Sequence, residues 1–202
     1  MLNIMNETTQ NAKAPSSKAP IAETVQSAVL GNGCFWCLQA SMRLVRGVIA
    51  TVSGYAGGTT ENPTYEEVCA GETGHAEVVK IDFDPTVVSY ADLLDVFWAT
   101  HNPTTPNQSG HDVGPQYRSI ILYADDSQRA AAVAGRDAQA DNWLDPIITE
   151  IKPLEIFYPA EDYHQDYYAK NPDAAYCVAV INPKLATLRA KLSSLLIDPD
   201  IK

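Results

Sequence analysis

The segment 24–45, TVQSAVLGNGCFWCLQASMRLV, decides how the chain begins to fold. Thr24–Leu30 reads as a β-strand and Gly31-Asn32-Gly33 as a turn feeding a helix over Gly33–Val45, with Asn32 placed to cap it. On a helical wheel Phe35, Leu38, Met42 and Val45 share one stripe, the face expected to enter the core. Cys34 borders that stripe, and Trp36 falls on the other side with Gln39 and Arg43, where a cleft aromatic would sit. The free N–H groups and positive dipole end of a helix start stabilise a thiolate, so Cys34 is expected to have a lowered pKa and to be the nucleophile. Cys34 and Cys37 at i and i+3 would place their Cα atoms roughly 5 Å apart, within disulfide reach.

Outward from this segment the chain mixes strands and helices. Val48–Tyr55 reads as a strand closed by Gly57-Gly58, and Ala76–Phe83 as a strand ended by Asp84-Pro85. Ser89–Thr100 reads as a helix, with Ser89 and Asp92 at capping-box spacing. A Pro-, Asn- and Gly-rich loop over 101–115 is long enough to suggest function. Arg118–Tyr123, Ile147–Ile151 and Tyr176–Ile181 read as strands, Gln128–Ala140 and Leu185–Leu196 as helices, and Phe157–Tyr168 as a Tyr-rich segment. The order predicts an α+β single domain, a mixed β-sheet with helices packed against it. Residues 1–22, polar with Pro, Ser and Lys, are expected to be a disordered tail.

A formal net charge of -11 repels phosphate backbones, so nucleic-acid and anionic-membrane partners are not expected. No run of about 18 apolar residues spans a membrane, and the N-terminus lacks the apolar stretch of a secretory signal. Four cysteines in 202 residues are too few for a disulfide scaffold, so a reduced, cytoplasmic protein is the expectation, and a monomer. Cys69, Cys177 and the four histidines show no metal-ligand spacing, so no metal is expected. Cys69 reads as buried and inert, and His75 and His164 as structural.

In HAEVVKIDFD, residues 75–84, Glu77 shares a strand face with Val79, Ile81 and Phe83, the more apolar face. Glu77 therefore points inward at the strand's start. Burial without a cationic partner would raise its pKa and keep it a neutral proton donor.

GCFWC after a strand, GYAGG (54–58), NPTYEEVC (62–69), TGHAEVV (73–79), GHDVGPQYRS (110–119), YHQDYYAKNP (163–172) and YC (176–177) occur in this order. Together they resemble the A-type peptide methionine sulfoxide reductases, from about Val29 to Pro183. The resemblance implies a two-layer, ferredoxin-like sandwich, with residues 23–202 as the catalytic domain. It implies reduction of the S epimer of methionine sulfoxide, free or in oxidised proteins, without cofactor and with thioredoxin as the reductant. Cys34 would be the nucleophile and Glu77 the acid. Phe35 and Trp36 would form the apolar pocket for the substrate S-methyl group. Tyr55, Glu77 and Tyr117 would bind the sulfoxide oxygen, supported by Asp112. Cys34 would become a sulfenic acid, resolved by Cys37 or Cys177. Many members have Gly at the position of Cys37, and His111 and Pro115 replace the more usual Asn and Thr. Two rivals are a thioredoxin-like dithiol oxidoreductase using Cys34 and Cys37 and a non-catalytic binder of oxidised-methionine segments.

Overall fold

The computed structural model describes residues 25–198, so the tail expected over 1–22 lies outside the described residues. Strand β1 (Gln26–Asn32) leads into α1 (Phe35–Met42), then β2 (Val48–Ala56), α2 (Tyr65–Cys69), β3 (Ala76–Phe83) and α3 (Tyr90–Ala99). The 101–115 loop folds into a small hairpin, β4 (Gln108–Ser109) with β5 (Asp112–Val113). Then come β6 (Ser119–Tyr123), α4 (Asp126–Gln139), β7 (Glu150–Pro153), β8 (Phe157–Pro159), α5 (Tyr167–Lys170) and α6 (Asn182–Leu192).

The main sheet runs β7-β6-β1-β3-β2-β8, antiparallel except for β6 and β7. Its inner four strands, β6-β1-β3-β2, with α1 crossing from β1 to β2 and α3 from β3 to β6, have the split β-α-β order of a ferredoxin-like sandwich. Alternation in β3 sets the layers. Glu77, Val79, Ile81 and Phe83 face the main core, which α1, α3 and α6 cover. Ala76 and Val78 join Val29, Ala56, Ile120 and Leu122 in a smaller cluster on the other face, under Leu154 and Phe157. Helix α3 starts as its spacing predicts. The Ser89 hydroxyl accepts from the Asp92 N–H, and the Asp92 carboxylate accepts from the Ser89 N–H, a capping box whose Ser→Ala loss costs about 1 kcal/mol.

Three expectations change. Asn32 does not cap α1. It ends β1, and its side-chain amide donates to the Thr100 hydroxyl instead. Helix α1 is shorter than its apolar stripe suggests and buried almost all round, including Gln39. The strand expected over 176–181 is a π-helical turn, Cys177–Ile181, running into α6. Cys177, Ile181, Leu185 and Leu188 are the buried residues of this segment, at helical spacing along one face, and their burial outweighs the β preference of the intervening valines.

Two glycines hold the turn before α1. Gly33 has φ +111°, and a Cβ there would lie 2.3 Å from Ser109 Cβ. A Cβ on Gly31 would approach the Glu77 carbonyl oxygen to 2.6 Å. Only glycine lets the Cys34 turn close against β3 and the hairpin loop.

Candidate active site

Cys34 is the N-cap residue of α1, without a side-chain capping hydrogen bond, and only 7% exposed. The next backbone N–H, that of Phe35, donates to Glu77 Oε2 at 2.9 Å. The helix start thus anchors the acid that faces the thiol. Cys34 itself departs from expectation: burial, and then donation of its S–H to Cys37, push its thiol well above the ordinary value. That same hydrogen bond pulls Cys37, 2% exposed, down to about 7. Of the two thiols at the helix start, the second is therefore the readier to ionise.

Glu77 points inward, as its strand face requires, and is 1% exposed. Burial raises its pKa to about 8, the Phe35 N–H opposes, and the charge of Asp112 adds to the rise. At neutral pH it is a carboxylic acid, and Oε1 meets no hydrogen-bond partner among the described residues. Tyr55 lies opposite Glu77 in the β2–β3 ladder, fully buried. Its hydroxyl is engaged elsewhere, donating to Glu161 Oε2 at 2.8 Å. Tyr117 closes the 3-10 turn Pro115–Tyr117, and burial, then the charges of Glu77 and Cys34, keep its phenol protonated. Asp112, from β5, accepts from the Tyr176 hydroxyl at 2.7 Å, and the same hydroxyl lies 3.8 Å from Cys37 Sγ.

The aromatic wall is built around α1. Trp36 stacks on Tyr167 with centroids 3.7 Å apart and planes 7° from parallel, and meets Tyr176 edge-on. Its indole N–H donates to His164 Nδ1 at 3.2 Å. His164 in turn packs on Phe35 and Tyr65. Trp36 is therefore half-buried within a cleft wall rather than free on the helix's outer side.

Of the two candidate resolving thiols, only Cys37 touches Cys34. Cys177 is fully buried in the π-helical turn, and burial raises its thiol. Cys69 corrects another expectation. It is exposed, at the end of α2. Among the described residues no group of three or more His, Cys, Asp or Glu could hold a metal ion, and no helix is long and apolar enough to cross a membrane.

Sequence reasoning missed Glu161, Gln165, Tyr176 and the part played by His164. Glu161 also accepts the Tyr65 N–H at 2.9 Å, and Gln165 bonds both the N–H and C=O of Ser53. Their partners lie 96 to 128 positions away for Glu161 and His164, so no local pattern could point to them. The motifs YHQDYYAKNP (163–172) and YC (176–177), which hold His164, Gln165 and Tyr176, were the signals present.

The chain resembles known proteins over most of its length. Peptide methionine sulfoxide reductase MsrA of Acinetobacter baumannii is 54% identical over 172 residues, covering 85% of this chain and 99% of the relative. Methionine sulfoxide reductase A of Corynebacterium diphtheriae superposes with a TM-score of 0.70 at 37% identity, covering 74% of this chain and 76% of that one. Reduced Mxr1 of Saccharomyces cerevisiae superposes with a TM-score of 0.73 at 33% identity, covering 77% and 90%, and Mxr1 is also known in complex with Trx2. Residues 26–195 match the family described as peptide methionine sulfoxide reductase. That span contains every site residue named above, from Cys34 to Cys177, and the chain belongs to the peptide methionine sulfoxide reductase family, in its A-type branch.

Proposed function

We propose that the chain reduces the S epimer of methionine sulfoxide, free or within proteins, through Cys34, with a sulfenic acid and a Cys34–Cys37 disulfide as intermediates. One observation carries this reading: a buried Glu77 carboxyl, fixed to the N–H of the residue after Cys34 and raised in pKa by its burial. A sulfoxide sulfur becomes electrophilic only when its oxygen is hydrogen-bonded or protonated. Glu77 and Tyr117 supply donors that no other described residue occupies, and Tyr55 supplies a third once released from Glu161. Phe35 and Trp36 receive the S-methyl group.

Cys34 attacks the substrate sulfur and passes its proton to the Cys37 thiolate, its hydrogen-bond partner. Glu77 gives its proton to the oxygen, which leaves methionine as the hydroxyl of a Cys34 sulfenic acid. The substrate sulfur gains two electrons and Cys34 loses two. Cys37 then attacks the sulfenic sulfur, and water departs as the disulfide forms. An external dithiol reduces this disulfide by exchange and returns the protons to Cys34 and Glu77. Thioredoxin is the physiological dithiol in this reading, in keeping with the Mxr1 complex with Trx2, and its reducing surroundings place the enzyme in the cytoplasm. Cys177 would act only after its helical turn opens. Asp112 and Tyr176 orient Cys37 for the resolving step.

The test is a peptide carrying both methionine sulfoxide epimers, incubated with the protein and dithiothreitol and resolved by chromatography. Only the S epimer should disappear, and Cys34→Ser should lose at least about 10³-fold in rate. Consumption of both epimers, or undiminished turnover by Cys34→Ser, would reject the assignment.

A further inference from the structure

Tyr55 presents a conflict. The reading above gives its hydroxyl to the sulfoxide oxygen, yet that hydroxyl is spent on Glu161 Oε2 at 2.8 Å. Glu161 is not a partner that surrenders a donor easily. Burial opposes its ionisation, but its own and the Tyr65 backbone N–H and the Tyr55 hydroxyl hold the carboxyl below its ordinary value, so it carries a full charge. Removing Tyr55 without replacement would leave a partly buried carboxylate oxygen short of a hydrogen bond, which works against substrate binding.

A replacement donor stands beside it. His164 is 1% exposed, and its Nδ1 accepts the Trp36 indole N–H. Indole is only a donor, so the neutral imidazole carries its proton on Nε2. Burial lowers the His164 pKa and keeps the ring neutral. Among the described residues Nε2 is a buried donor with no hydrogen-bond partner, and it sits 3.9 Å from Glu161 Oε2, the oxygen that Tyr55 occupies. A shift of about 1 Å would bring it to hydrogen-bond distance. Buried side-chain polar atoms are nearly always satisfied, so an aimed but unsatisfied N–H marks a second arrangement of these groups.

We propose that His164 is the positioning residue that frees Tyr55: when the sulfoxide oxygen takes the Tyr55 hydroxyl, His164 Nε2–H closes onto Glu161 in its place. The inference rests on the proposed role of Tyr55 in holding the sulfoxide oxygen. One proton donor is exchanged for another on Glu161, and no proton changes owner. The Trp36 contact ties this exchange to the pocket, because the ring that releases Tyr55 also holds the indole against which the methyl group would lie. Phe35 meets the Tyr55 and His164 rings at tilted angles, and through it occupancy of the pocket is felt by both.

A double-mutant cycle on Tyr55→Phe and His164→Leu tests the exchange, read as single-turnover kcat/KM for the S epimer. Thermal melting and Cys34 thiol titration of each variant serve as folding checks. Tyr55→Phe and His164→Leu should each lose about tenfold, and the double variant little more than Tyr55→Phe alone. The broken Trp36 contact acts in both backgrounds and cancels in the cycle. His164→Gln, whose amide can accept from Trp36 and donate to Glu161, should stay within about threefold of the parent. If His164→Leu does not fold, His164→Asn, too short to reach both partners, takes its place. Multiplicative losses in the double variant would overturn the exchange while leaving the Tyr55 assignment intact. Full activity in Tyr55→Phe would overturn both, and leave the role of Cys34 to be judged by its own variant.

Discussion

The site has two walls of different construction. One is made of α1, β2 and β3, where Cys34, Tyr55 and Glu77 are aimed by backbone ladders and a helix start. The other is the stretch from Phe157 to Tyr176, with a three-residue strand, a four-residue helix and a left-handed Asp166 at φ +55°. That second wall is held by side chains doing the work of backbone. Gln165 accepts the Ser53 N–H and donates to the Ser53 C=O, both at 2.9 Å, continuing the β2 edge beyond β8 as a short strand would. The difference teaches a division of labour: the regular wall fixes the reacting groups, and the irregular wall fixes the aromatics and the carboxylate that attend them.

The largest effect should come from the regular wall. Glu77→Gln keeps an acceptor for the Phe35 N–H but has no proton to give, so the rate should fall by ~10²-fold or more. In the proposed mechanism turnover in the parent requires an ionised thiol pair, gained as pH rises through about 7, and a protonated Glu77, lost through about 8. Its pH–rate profile should be a narrow bell between these values, and the variant should lose the alkaline limb. Stability should move the opposite way. Glu77 is raised from 4.5 to about 8 on folding, so the stability its protonation contributes is complete below 4.5 and lost as pH rises through about 8. Glu77→Gln should therefore gain in melting temperature over the parent between pH 5 and 8, by on the order of 1 kcal/mol per pH unit. A pH-independent difference in melting would show that Glu77 is already ionised in the fold.

An intermediate effect should come from the peg of the irregular wall. Gln165→Ala leaves both polar backbone groups of Ser53 short of a partner, though Ser53 O keeps the Ala160 N–H. The loss should be about 2–3 kcal/mol in denaturant unfolding. More diagnostic is where the loss is felt. Amide exchange should quicken over 157–176 while β1 and β3 keep their protection. Equal loosening of both walls would mean that the two form one cooperative unit.

The same contrast explains what the sequence disclosed. The alternation in HAEVVKIDFD placed β3 to the residue and turned Glu77 inward, because period-two burial is a local property of the chain. The Ser89 to Asp92 spacing found the start of α3 for the same reason. The place of Cys34 at the start of α1 was legible, but its pKa was not. The helix start argued for a lowered value, whereas burial and the neighbouring thiol, which depend on the packed fold, raise it. Tyr176–Ile181 misled because valine-rich local preference favoured a strand, while the core required residues at helical spacing. Glu161, His164 and Gln165 were hidden because each acts on a residue more than 90 positions away.

The smallest effect should come where the two walls touch. Tyr167 from the irregular wall lies flat on Trp36 from α1, and its hydroxyl has no hydrogen-bond partner among the described residues. The contact is therefore pure stacking, worth about 1 kcal/mol beyond the area buried. Trp36 has a second tie, its indole N–H to His164, so Tyr167→Ala should loosen the ring without releasing it. Looseness in the pocket proposed for the methyl group weakens ground state and transition state alike, which predicts a rise in KM of about fivefold with kcat nearly unchanged. Tyr167→Phe should match the parent, since it keeps the stacked face and discards only an unused hydroxyl. A fall in kcat instead would mean that Trp36 steers the sulfur toward Cys34, and that the irregular wall reaches into the chemistry it otherwise only attends.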